Sequence, residues 1–148
     1  MATKDWLNRG RTITKEIEDL ECDKRRAIED ATKITVTLRE RVNTGKAGKR
    51  NDAALVEIAD YGMLIEEKIA ELYRTRNEIS KAIYAVEDGV LRRLLINRYI
   101  MSNEQGKQLS WEQISINLNN GFENVTQRLH PRALNAVRKY IPEEDLID

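Results

Sequence analysis

Residues 110–140 read SWEQISINLNNGFENVTQRLHPRALNAVRKY, and the order of residue types along this stretch decides the fold. Ser110 followed by Gln113 is a capping box: the Ser110 hydroxyl accepts from the Gln113 backbone N–H, and the Gln113 side chain reaches back. Ile114 and Leu118, at i and i+4, give a short helix over 111–118 one apolar face. Asn119-Asn120-Gly121 follows, with residue types that tolerate positive φ, so the chain can turn within a few residues. Val125 and Leu129 resume the i, i+4 spacing, and Ala133, Ala136, Val137 and Tyr140 continue it. The expectation is helix, tight turn, helix, with a steep crossing that leaves the second helix free to project its polar side.

The polar side of that second helix carries Asn124, Gln127, Arg128 and Arg138. Asn and Gln bond bidentately to adenine and Arg to guanine, so Asn124, Gln127 and Arg128 are the expected base contacts in double-stranded DNA. Arg92, Arg93, Arg98, Lys107, Arg132 and Arg138 are the expected phosphate contacts. The whole chain balances 25 basic against 25 acidic residues, so no global field announces a polyanion. The distribution says more: Gly89 to Ile141 holds eight Lys and Arg against Glu104, Glu112 and Glu123, whereas residues 1–87 hold seventeen of each sign. Lys46, Lys49 and Arg50 form a secondary basic patch, although a charged loop is usually only solvated. Polar helix faces of this kind also occur in proteins that never touch DNA. Trp111 reads as a core anchor, and a lone His130 is more often a packed bystander than a phosphate contact. Pro131 lacks a backbone donor and clashes inside a helix at a cost of ~3 kcal/mol, so the helix should kink or restart there.

Upstream, Trp6, Ile13, Leu20, Ala27 and Ile34 recur every seven residues, interleaved with Gly10, Ile17, Lys24, Ala31 and Leu38. The pattern returns at Leu55, Ile58, Gly62, Ile65, Ile69, Leu72, Arg76, Ile79, Ile83 and Val86. Residues 43–51, NTGKAGKRN, should break the two helices apart, with Asn51 or Asp52 capping the second. The result is an antiparallel hairpin of coiled-coil type, with arms of roughly 50 Å. Lys24 and Arg76 on the seam are polar insertions that set register, and Gly62 there is either a close-approach site or a weak spot. The register lapses at Glu87-Asp88-Gly89, where Asp88 can cap a new helix through Val90, Leu91, Leu94, Leu95 and Tyr99. The chain thus reads as all-α: a helical hairpin over 1–87, then a helix-turn-helix domain over 88–148 with a loop at 102–110 and an acidic tail, PEEDLID. Exposed apolar positions such as Ile28 and Val36 suggest a homodimer.

Other function classes are unsupported. One cysteine, Cys22, and one histidine supply neither a disulfide nor a metal-ligand set. No nucleophile–base pair or glycine-rich phosphate loop occurs, and the acidic pairs Glu66-Glu67 and Glu143-Glu144 fall on solvated faces or in the tail. No enzyme activity, cofactor, metal or small-molecule substrate is expected. No run approaches the ~20 apolar residues of a membrane span, and the start has no signal-peptide core, so a cytoplasmic protein is expected.

The stretch LRRLLINRYIMSNEQGKQLSWEQISINLNNGFENVTQRLHPRAL, residues 91–134, resembles the C-terminal domain of small phage and prophage regulators of late transcription, of the ArpU and RinA kind. That domain is itself similar to region four of bacterial sigma factors. The matching elements are Arg98-Tyr99, Ser110-Trp111 with Ile114, Arg128-Leu129-His130, and Arg132-Ala133-Leu134, and the resemblance covers about residues 88–141. Two departures stand out: loop 102–110 is longer than the usual connection, and the turn at 119–123 carries one extra residue. The resemblance implies a sequence-specific regulator of phage or prophage genes in a bacterial cytoplasm, with host RNA polymerase as a further partner. Two alternatives stand beside it. One is a helical adaptor or scaffold acting through its hairpin; the other is a DNA-recognition subunit of genome packaging, where the DNA-binding unit usually comes first.

Overall fold

A computed structural model of the protein describes the backbone of residues 1–40 and 46–147, and the side chains of 1–33 and 52–147. In chain order the helices are α1 (Thr3–Leu7), α2 (Arg9–Glu40), α3 (Lys46–Tyr84), α4 (Gly89–Leu95), α5 (Trp111–Leu118), α6 (Phe122–Asn124), α7 (His130–Arg138) and α8 (Glu143–Leu146). A π turn, Ile96–Ile100, prolongs α4, and a second, Val125–Leu129, joins α6 to α7. Among the described residues the fold is all-α; an isolated bridge between Ser102 and Gln108 is the nearest thing to a sheet. The break expected over 43–51 is shorter than read, because α3 already starts at Lys46. The side chains of Ile34, Val36, Leu38, Lys46, Lys49 and Arg50 lie outside the described residues.

The chain forms two compact units, and their division differs from the boundary expected at 87/88. One unit is Arg11–Tyr73; the other joins Met1–Gly10 to Arg74–Asp148. Both long helices contribute residues to each unit, α2 through Arg9 and Gly10 and α3 from Arg74 onward to the second.

Within Arg11–Tyr73, Ile13, Ile17, Ile65 and Leu72 are buried together with Leu20 against them. Lys68 reaches Glu16 at 2.7 Å and Glu71 at 3.1 Å. A methyl group on Gly62 would stand 3.7 Å from the Lys24 ammonium. These contacts pair rising numbers on α2 with falling numbers on α3. Only one of the two expected heptad rows of α3 is covered in this unit: Ile65 and Leu72 are buried, while Leu55 is 57% and Ile69 36% exposed. Two helices share a single narrow seam, and a 3.6-residue period drifts by ~20° per heptad, so the second row rotates off it.

In the other unit, Trp6, Leu7, Ile83, Leu94, Leu95, Ile114, Val125 and Val137 are almost wholly excluded from solvent. Arg76, expected on the seam, is exposed, and Thr75 is buried in its place. Helix α1 ends at Leu7 and α2 begins at Arg9, so the heptad run breaks at Asn8 and both Trp6 and Leu7 turn inward. The Trp6 indole N–H donates to Asp145 Oδ2 at 3.1 Å, and Leu146 packs against the same core. The acidic tail thus forms α8 and closes over α1. Val90 and Tyr140, expected on apolar faces, are 50% and 42% exposed. Helix α7 ends at Arg138, and Ile141 enters the core beyond it.

Candidate nucleic-acid interface

Helix α4 starts where the sequence places it: Asp88 Oδ1 accepts from Val90 N–H at 2.9 Å and Leu91 N–H at 3.2 Å. Helix α5 is capped by Ser110 Oγ, which accepts from Gln113 N–H at 3.1 Å. Only half of the expected capping box forms. The Gln113 amide donates instead to Asn117 Oδ1 at 2.9 Å, Asn117 donates to Asn97 Oδ1 at 2.7 Å, and Asn97 donates to the Arg93 carbonyl at 2.8 Å. Asn97 is 3% exposed, and a buried amide without partners is costly, so this relay fixes α5 against the end of α4.

The turn after α5 hinges on Asn119, left-handed at φ 51° and ψ 48°. Asparagine tolerates that region far better than a bulky residue does. Asn120 Oδ1 accepts from Gly121 N–H and from the Asn124 side-chain amide, both at 2.9 Å. Asn124, expected to read a base, is therefore half-buried and engaged in holding the turn.

From Phe122 to Arg138 the inward row is Val125, Leu129, Ala133 and Val137, all buried. A strict four-residue step drifts ~40° per step on an α-helix. The wider turn Val125–Leu129, closed by the His130 N–H onto the Val125 carbonyl, absorbs that drift. Pro131 follows that wider turn directly, as the second residue of α7, and the helix continues through it without a restart. Gln127, Arg128, Arg132 and Arg138 are exposed on the outward side. So is Asn135, which the sequence reading passed over because it lies inside the run Ala133–Val137; its spacing, seven after Arg128 and three before Arg138, was the available signal.

The expected phosphate contacts divide into two groups. Arg93, Lys107, Arg132 and Arg138 are exposed. Lys107 stands on a loop folded around Asn103, whose Oδ1 accepts from Gln105 and Lys107 N–H at 2.9 Å each, with Gly106 at φ 75°. Arg92 is half-buried and donates to the Val86 carbonyl at 3.0 Å. Arg98 is engaged within the fold: it donates to the Leu109 carbonyl at 2.7 Å and lies 4.2 Å from the centre of the Trp111 ring. Burial lowers its pKa from the usual arginine value. Sequence could not distinguish an arginine facing phosphate from one stacked on an indole thirteen residues away. His130 touches the edge of Trp111, ring centres 4.6 Å apart, and its Nε2 is 2.7 Å from the Tyr99 hydroxyl. Burial, then the charges of Lys4 and Arg98, lower the His130 pKa to about 4, and burial raises that of Tyr99 to about 12. His130 is a packed residue of the core margin.

Among the described residues no group of three or more His, Cys, Asp or Glu side chains could hold a metal, and no helix is long and apolar enough to cross a membrane. No protein-family model, curated protein or solved structure matches the chain.

Proposed function

We propose that the protein is a sequence-specific, double-stranded-DNA-binding regulator. In this reading α5 and the helix from Phe122 to Arg138 form a helix-turn-helix, and the N-terminal helices form a hairpin of coiled-coil type. The observation that carries it is the stripe Gln127, Arg128, Asn135 and Arg138, exposed opposite a fully buried apolar row, on a helix that begins directly after a tight left-handed turn. Gln127, Asn135 and Arg128 carry the bidentate groups that discriminate adenine and guanine in the major groove. Arg93, Lys107, Arg132 and Arg138 supply cations for the flanking phosphates. The resemblance to phage late-transcription regulators agrees with this reading and makes host RNA polymerase its second partner.

The test is selection from a random duplex library with the full-length protein, followed by titration of the enriched duplex and a scrambled one. With about four phosphates neutralised, affinity should fall roughly 10²-fold between about 50 and 200 mM salt. Arg128→Ala should cost ~1–3 kcal/mol on the enriched duplex and leave the scrambled one nearly unchanged. Lys107→Ala should weaken both and lower the salt slope by about one. Absence of duplex binding at the lower salt would overturn the reading.

A further inference from the structure

Phe122 is the only phenylalanine of the chain, and it is 49% exposed at the first residue of the helix that carries Gln127 and Arg128. It takes no part in the core, although Leu118 before it and Val125 after it do. Six residues earlier in the chain, Ile116 is 71% exposed on α5 and lines a shallow open depression with Ser115, Asn119, Asn120 and Gly121. A side chain added at Gly121, the residue before Phe122, would meet open space. About half of the residue's surface is thus open to water at the start of that helix.

The surroundings specify what covers it. The segment 122–139 carries Arg128, Arg132, Arg138 and Lys139 against one acid, Glu123, which favours a polyanion. The N-terminal residues of such a helix are those that reach base edges. The one apolar group that a base pair presents in the major groove is the thymine C5-methyl, which phenylalanine contacts well. Glu123, the neighbouring acceptor, matches the cytosine amino group and does not oppose this placement. Resting on the DNA-binding reading, we infer that Phe122 is a specificity residue that reads the methyl group of a thymine.

The experiment replaces each thymine of the enriched duplex by deoxyuridine, one at a time, which removes only the methyl. The full-length protein should lose about fourfold in affinity at one or two positions, the worth of one buried methyl group. Phe122→Ala should bind the thymine and deoxyuridine forms equally there, whereas Arg128→Ala should keep the difference. Because Phe122 is outside the core, the variant's melting temperature should be unchanged, which separates loss of contact from loss of fold. Tolerance of deoxyuridine at every position, or undiminished sensitivity in Phe122→Ala, would overturn the inference while DNA binding stood. Failure to enrich any duplex would remove both.

Discussion

His130 shows how far a residue's surroundings outweigh its type. Its ring is packed between Trp111 and Tyr99, and burial holds its pKa at about 4 against an ordinary 6.5. The unfolded chain therefore takes up a proton as pH falls through 6.5, while the folded chain resists until about 4. Stability from this group is fully present above pH 6.5, declines as pH drops toward 4, and is gone below. Since the ring remains partly open to water, the loss should be about 1–2 kcal/mol after screening. Urea unfolding of wild type and His130→Gln from neutral pH to 4 measures it, because carboxylate effects cancel between the two. Curves that stay parallel would mean the ring is solvated. Arg98 belongs to the same lesson: the charge was legible in the sequence, but its direction was set by Trp111.

At the scale of elements, local signals held where the chemistry is local. Asp88 and Ser110 cap the helices they precede, and the Asn119 turn falls between the two apolar rows that predict it. The π turns at Ile96–Ile100 and Val125–Leu129 were not legible, since no residue type marks them. Gly62 settles a choice the sequence left open. Its neighbour is the far end of a flexible lysine, at ordinary contact distance, so nothing requires the missing side chain. Gly62→Ala should therefore stabilise the protein by ~0.5–1 kcal/mol through helix propensity. A lowered midpoint in urea unfolding would show that the backbones approach there more closely than this contact implies.

At the scale of the molecule, residues 1–10 are part of the unit that carries the proposed interface. Trp6 is 1% exposed, donates to Asp145, and has the Arg9 guanidinium 4.5 Å from its ring centre; Arg9 in turn pairs with Glu78 at 3.1 Å. Trp6→Ala should cost ~3–5 kcal/mol, as large truncations in a packed core do. The readout is a lower melting temperature together with loss of duplex binding, restored by Trp6→Phe in part. A variant that melts like wild type would detach the first helix from this core.

What the amino-acid sequence determined by itself was the all-α class, the helix starts at Asp88 and Ser110, the turn at Asn119, and the inward rows of α5 and of the helix from Phe122 to Arg138. Each depends on residues within a few positions of one another, where capping, backbone freedom and periodicity act directly. The tertiary structure alone decided which heptad row of α3 is covered, that α1 and the acidic tail close one core, that Asn124 is tied to Asn120 and Arg98 to Leu109 and Trp111, and that Asn135 and Phe122 are exposed. Those outcomes depend on partners far away in sequence, and a side chain's neighbours across a core leave no mark on the residues beside it.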